Sequence, residues 1–536
     1  MIKIINLFLL LLAPLLSGVL LVLAFPNYDH AWLGWVGLMP LLLIIRRLRP
    51  WQAFLSGWLA GIIYFVGIFP WINEVQSVSK LAIGLGHLYL GLYFSLFFAI
   101  TCLFIRRFSL PLLTAAPVWV AVEYLRAHFF FLGFPWALLG HTQYLHLPII
   151  QIASFTGAYG VSFIMVLVNG AISDLLVHWI GRKKPESKEA GGIGYKPVTI
   201  CVLVLFGIAA LWVLGWRVLS KEVPGTPISV AVVQGNISQG VKWNPGFSDQ
   251  IVSTYERLSE KAVRFKPHLI VWPETSTPGL ILKNMRLLKR MIAMIKRLKT
   301  YFLVGSAEYP KFGKDPLKRE KSGNTALFFS PKGKVLGQYL KIRLIPLWEY
   351  IPYDGIIHWP HFIIPPGKKN FIIAGTESIV FNLARARFGV LICWENIYPD
   401  LSRRLVKRGA DFIVNISNEA WFGETAAPYQ ILSMCVFRAV ENRIPMVRAT
   451  NTGISCFIDS HGRVKDRIRK GDKELFVDGV GIYEVPLSST GTFYTRYGDI
   501  MAFSCLAFTL CLILWSAFKG IWRASCSESR SKGGEA

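Results

Sequence analysis

Three polar residues stand at the ends of apolar, strand-like runs: Glu274 after Leu269-Ile270-Val271-Trp272-Pro273, Lys341 after Gly337-Gln338-Tyr339-Leu340, and Cys393 after Val390-Leu391-Ile392. A carboxylate, an ammonium and a thiol form a complete acyl-transfer set of base, oxyanion stabiliser and nucleophile, provided that the fold brings them together. Read singly, each has a plainer role. Glu274 can open a helix after Pro273, Lys341 can be a solvated strand end, and Cys393 can be a small buried hydrophobe. Of the eight cysteines only Cys393, Cys435 and Cys456 lie in this part of the chain, and no pair has CxxC spacing, so a disulfide framework is not expected. Cys393 is then available for chemistry. Neither HExxH nor GxSxG occurs, which leaves metallohydrolase and serine-hydrolase readings without support and no metal ligands to name.

The elements that must position these groups fall between about 225 and 490. Ile228 to Gln234 reads as a strand, Phe247 to Arg264 as an amphipathic helix, His268 to Trp272 as a buried strand and Leu282 to Lys299 as a second helix. Further strands are expected near 302–306, 325–329, 335–341, 378–382, 388–393, 411–416, 445–449 and 455–459. So many strands with few helices between them suggest layered sheets covered by helices. The second helix is basic (Lys283, Arg286, Lys289, Arg290, Lys296, Arg297, Lys299), which reads as the solvated face of a domain helix.

Most of the remainder reads as membrane. The chain has 536 residues, 53% of them hydrophobic, with 18 tryptophans. Its net charge of +26 could suit nucleic acid, but the basic residues gather at the ends of apolar segments and no nucleic-acid module is legible. Eight spans can be placed, near 4–24, 31–45, 52–70, 84–105, 110–130, 147–178, 198–218 and 499–518. Lys3, Arg46, Arg47, Arg49, Arg106, Arg107, Arg182, Lys183, Lys184, Lys188, Lys519, Arg523, Arg530 and Lys532 then share one side. Both termini are expected in the cytoplasm. This divides the chain into seven helices over 1–220, an outer domain over 221–490, an eighth helix over 491–520 and a tail over 521–536 read as disordered. The first apolar run lacks a small-x-small site and is expected to stay uncleaved. Gly84 and Gly86 read as aids to close helix packing, and Pro185 to Gly194 as a flexible loop.

Val271-Trp272-Pro273-Glu274, Tyr339-Leu340-Lys341-Ile342-Arg343-Leu344-Ile345-Pro346 and Cys393-Trp394-Glu395 resemble, in order, the three signature segments of the nitrilase (carbon–nitrogen hydrolase) superfamily and its Glu-Lys-Cys triad. Asn415 to Gly423, Arg448 to Ser455, Leu23-Ala24-Phe25-Pro26, Gly133-Phe134-Pro135-Trp136 and Gly157 to Ser162 extend the resemblance, more narrowly, to the apolipoprotein N-acyltransferases over nearly the whole chain. The resemblance implies an αββα sandwich set on an all-α bundle of about eight transmembrane helices in a bacterial inner membrane, with the sandwich in the periplasm. It implies transfer of an acyl chain from a phospholipid, usually phosphatidylethanolamine, to the N-terminal amine of a diacylglyceryl apolipoprotein, without a cofactor. Glu274, Lys341 and Cys393 would be catalytic. Glu349 matches the family's second glutamate, Trp394 and Glu395 match positions beside the active site, and Trp243 matches a tryptophan linked to acceptor handling. Two positions depart from the pattern. Trp348 stands where the family usually has glycine, and Glu419 where it usually has aspartate. A membrane-tethered amidase, or a transporter or scaffold carrying a dead domain, are the alternatives.

Overall fold

The computed structural model describes residues 2–75, 78–182, 196–222, 225–309, 322–364, 372–487 and 491–532, with side chains described outside 2–9, 181–182 and 520–532. Twelve strands among the described residues form two six-stranded sheets. The first holds β1 (Pro227–Gln234), β2 (Leu269–Val271), β3 (Tyr301–Glu308), β4 (Gly323–Phe329), β5 (Val335–Leu340) and β12 (Gly479–Pro486) in the order β12-β1-β2-β3-β4-β5. The second holds β6 (Val380–Leu383), β7 (Ala386–Ile392), β8 (Phe412–Ser417), β9 (Met446–Thr450), β10 (Cys456–Ile458) and β11 (Val464–Lys465) in the order β11-β10-β9-β8-β7-β6. Each sheet has a parallel centre, β1-β2-β3 in one and β7-β8-β9 in the other, flanked by antiparallel strands.

Alternation along the strands builds the layers, since neighbouring side chains point to opposite faces. Val230, Val232, Val271 and Leu303 of the first sheet meet Phe388, Val390, Ile392 and Val414 of the second in one buried core. Their neighbours Ala231, Val233, Ile270 and Phe302 pack outward on α11 (Ser248–Val263) and α12 (Met285–Leu298), through Tyr255, Leu258, Leu287 and Ile295. On the far side of the second sheet, Leu391, Ile413 and Met446 pack on α13 (Pro399–Lys407) and α14 (Ala427–Asn442). The expected αββα sandwich is present. The basic helix is α12, one of the two that cover the first sheet, and its Arg286, Arg290 and Arg297 pair across to Asp249, Glu256 and Glu260 of α11.

The core beneath α13 and α14 does not stop at the sandwich. It runs on into the helical bundle through Trp71, Trp136, Leu139 and Tyr159. Among the described residues, five of the bundle helices are long and apolar enough to cross a membrane: α3 (Pro50–Ile68), α4 (Lys80–Phe108), α8 (Ala158–Arg182) through Ile180, α9 (Pro197–Leu219) and α16 (Ile500–Lys532) through Lys519. A sixth helix, α1 (Ile2–Leu23), is 22 residues long. The other expected spans take different forms. Residues 31–45 are a 3-10 turn, Ala31–Trp35, followed by the short α2 (Met39–Ile45), and 110–130 holds the 14-residue α5 (Ala115–His128). The stretch 147–178 is divided into α6 (Leu147–Ile150), α7 (Ala153–Thr156) and α8. The break falls at Gly157, whose φ of +67° suits glycine and whose α-carbon lies where a methyl would stand 2.6 Å from the Tyr494 ring.

Two other expectations are corrected. Nothing stands within 4 Å of a methyl added at Gly84 or Gly86, so neither brings helices together. That task falls to Gly57, Gly61 and Gly91 at the α3–α4 crossing, where a methyl on Gly61 would lie 2.9 Å from the Gly91 backbone. The tail expected to be disordered from 521 instead continues α16 as helix through Lys532. The loop read over 185–194 lies outside the described residues.

Candidate active site

Glu274, Lys341 and Cys393 follow the carboxyl ends of β2, β5 and β7. The two sheets pack face to face on one core, which lets residues remote in sequence become neighbours. The Cys393 thiol feels the charges of Glu274, Lys341, Glu349 and Glu419, and Lys341 in turn feels Cys393, Glu274 and Glu349. The expected convergence is therefore present.

Glu274 is buried at 6% exposure, and each carboxylate oxygen has a donor. Asn324 Nδ2 donates to Oε1 at 2.6 Å and the Asn418 N–H donates to Oε2 at 2.7 Å. The turn that carries it lies against Gly305, where a methyl would meet the Pro273 carbonyl oxygen at 2.1 Å and the Glu274 α-carbon at 2.7 Å. Lys341 is fully buried, and its Nζ donates to Glu349 Oε1 at 2.8 Å. Burial opposes its charge, but Glu349, Cys393 and Glu274 outweigh that and hold its pKa above the usual lysine range. Glu349 also accepts from the Ile345 N–H at 2.7 Å, so one carboxylate fixes both the ammonium and the loop that follows it.

Cys393 sits at φ +57°, a left-handed conformation that costs a non-glycine residue of order 1–3 kcal/mol. Asn415 Nδ2 braces the turn by donating to the carbonyls of Leu391 and Cys393 at 3.2 and 3.1 Å. Burial and the Glu274 charge push the thiol pKa up, while Lys341 pulls it down. The resting group is thus a protonated thiol beside a carboxylate, as needed for base-assisted attack.

The flanking residues divide into two kinds. Glu395 is fully buried and accepts four hydrogen bonds: from Tyr339 Oη at 2.8 Å and from the N–H groups of Ile392, Ile342 and Arg343 at 2.7, 2.6 and 3.1 Å. It ties the turn after β7 to the strand end that carries Lys341. Trp394 strengthens the same tie by donating from Nε1 to the Arg343 carbonyl at 2.6 Å. Glu395→Gln puts an amide N–H₂ where an acceptor is needed and is expected to cost about 2–3 kcal/mol, seen as a lower unfolding midpoint. Trp243, by contrast, is 52% exposed and bonded only locally, its Nε1 donating to Gln239 Oε1 at 3.0 Å.

Glu419 is fully buried and paired with Arg448, whose guanidinium also donates to Asn415 Oδ1 at 3.2 Å and to the Ile454 carbonyl at 3.0 Å. This pair stands behind the thiol and braces Asn415. Trp348 packs edge-on against Trp421 with ring centroids 5.5 Å apart, so the residue that departs from glycine joins the loop after Lys341 to the one after Glu419. Asn324, Asn418, Asn415 and Lys242 are contacts that sequence reasoning missed. A cavity of about 790 Å³ lies between the C-terminal end of α5, the N-terminal end of α16 and the segments following Lys341 and Cys393, with Phe130, Phe131, Arg343, Tyr398, Arg403 and Phe503 among its walls.

Two family profiles divide the chain as the architecture does. Residues 17–171 match the apolipoprotein N-acyltransferase N-terminal domain and residues 229–494 match carbon-nitrogen hydrolase. An apolipoprotein N-acyltransferase of Geobacter metallireducens is 39% identical over 505 residues, covering 92% of this chain and 93% of its own. The chain belongs to the apolipoprotein N-acyltransferase family. The Haemophilus influenzae apolipoprotein N-acyltransferase is 27% identical over 524 residues, covering 96% of this chain and 97% of its own. Among solved structures, an amidase from Nesterenkonia sp. is 16% identical, covers 51% of this chain and 94% of its own, and gives a TM-score of 0.37. The protein is an acyltransferase, built as a nitrilase-like domain on a helical membrane bundle.

Proposed function

We propose that this acyltransferase moves an acyl chain from a phospholipid, with phosphatidylethanolamine as the expected donor, through a Cys393 thioester to the N-terminal amine of diacylglyceryl-cysteine in apolipoproteins. Glu274 takes the thiol proton and the thiolate attacks the ester carbonyl. Lys341 and the Trp394 backbone N–H stabilise the oxyanion, and lysophospholipid leaves with the proton returned by Glu274. The amine then attacks the thioester, and Cys393 is restored. The observation that carries this reading is the meeting of a buried thiol, carboxylate and ammonium within one field.

The architecture supports lipid substrates. Donor and acceptor are both held in the bilayer, and the cavity beside the site is walled by membrane helices on one side and by the catalytic loops on the other. The grouping of charge supports an orientation. Arg46 pairs with Asp174 at 2.9 Å, Arg106 Nη1 donates to the Leu48 carbonyl at 3.2 Å and Lys519 lies over the Phe108 ring, which groups the basic helix ends. Taken as the cytoplasmic side of a bacterial inner membrane, this puts both termini inside and the 221–490 domain in the periplasm, held between the helices of 1–220 and that of 491–520.

Intact-protein mass spectrometry after incubation with phosphatidylethanolamine tests the reading. The expected result is a fatty-acyl mass gain that maps to the peptide holding Cys393, is removed by neutral hydroxylamine and is discharged by a diacylglyceryl lipopeptide. A protein that turns over without any such adduct would sink the thioester route.

A further inference from the structure

Lys242 ends the short α10 (Gln239–Lys242) after β1, and it is buried at 5% exposure. Its Nζ donates to the main-chain carbonyl of Glu274 at 3.0 Å. That carbonyl belongs to the residue whose carboxylate Asn324 and Asn418 hold, so three polar groups grip one turn. The ammonium also lies in the field of the Glu274 carboxylate and of Cys393. Coulomb attraction is mutual, so a charge there favours the thiolate as the thiolate favours the charge.

The surrounding charges give this a purpose. Glu274, Glu349 and Glu419 all act to keep Cys393 protonated. Lys341 acts against them, but it is already paired with Glu349, and Arg448 is already paired with Glu419. Glu395, two residues on, gives its carboxylate to four donors of the turn. Glu274 is thus the one of the three acids without an ion-paired cation among the described residues; Lys341 and Lys242 both act on it, and Lys341 is already paired with Glu349.

We propose that Lys242 is a positioning residue: it holds the Glu274 turn by its carbonyl and supplies the third positive charge that offsets the three buried carboxylates when Cys393 ionises. This deepens the reading of Cys393 as nucleophile and rests on it. Burial draws the Lys242 pKa down to about 8 against the pull of Glu274 and Cys393, so the charge is present at neutral pH and fades above about pH 8.

Alkylation of Cys393 by iodoacetamide in the full-length, detergent-solubilised protein, followed by peptide mass spectrometry across about pH 6 to 9, reads thiolate content directly. At pH 7 the Lys242→Met variant is expected to alkylate about tenfold more slowly than wild type, and Lys242→Arg within about twofold of it, as one unit of thiol pKa dictates. The gap between wild type and Lys242→Met should narrow above about pH 8 as wild type loses its own charge. Lys242→Gln keeps a donor for the Glu274 carbonyl without the charge. It is expected to match Lys242→Met in rate while unfolding closer to wild type, and it serves if the Met variant does not fold. Equal rates at pH 7, or a slowing that is the same at every pH, would overturn the assignment. The readout needs neither phospholipid nor lipopeptide, so its failure is distinct from failure of the acyl-transfer reading.

Discussion

Cys393→Ala is expected to lower acyl transfer by at least about 10⁴-fold, since removing a catalytic nucleophile costs up to about 10⁶ in rate. The loss should come without unfolding. The bonds that brace this turn, from Asn415 Nδ2 to the carbonyls of Leu391 and Cys393, are to main chain and survive the substitution. Alanine also keeps the side-chain branch that makes φ +57° costly. Cys393→Gly, equally inactive, relieves that cost and is expected to unfold later than Cys393→Ala, by about 1 kcal/mol. Lipopeptide acylation beside thermal unfolding checks both halves. Transfer by the alanine variant within about tenfold of wild type, or a glycine variant less stable than the alanine one, would remove the nucleophile or the strain from the account.

Lys341→Met combines two losses that a second substitution can separate. Removing an oxyanion donor costs on the order of 10²–10³ in rate. It also leaves the Glu349 carboxylate buried without its cation, since the pair is 0% and 8% exposed, and breaking such a pair costs about 3–5 kcal/mol. The single variant is therefore expected to be both inactive and markedly less stable. Adding Glu349→Gln removes the stranded charge and should return most of the stability, while activity stays low. A double variant that regains activity with its stability would mean that Lys341 only keeps the fold.

What could be read from sequence was what repeats locally. Strands β2 and β7 announce themselves as apolar runs closed by a polar residue, and α11 and α12 by helical periodicity, so Glu274, Lys341 and Cys393 are legible as candidates before their meeting is. Helix α14 was not. All of it but Tyr429 is buried, which erases the polar stripe that marks a surface helix. Strand β12 carries Gly479 and Gly481, which weaken a strand signal, yet it pairs along the whole of β1. Lys242, Asn324 and Asn418 act on Glu274 from 32, 50 and 144 residues away. Nothing in their own neighbourhoods announces that role. Glu395 reads as a neighbour of the chemistry because it stands two residues after Cys393, and its four donors tie it to the turn.

The position of α14 reaches beyond packing. One flank meets the turn that carries the thiol, where Asn396 Nδ2 donates to Cys435 Sγ at 2.8 Å. The other receives the bundle: Gln430 Oε1 accepts from the indoles of Trp71 and Trp136 at 3.1 and 2.9 Å, and Glu441 Oε1 accepts from the Ala158 N–H at 3.0 Å. A soluble relative can give its outer helices to water, but here that layer is shared property of both halves. By their packing the two halves are not interchangeable modules. A chain that exchanged the catalytic half alone would have to bring matching seats for α14 in the membrane half.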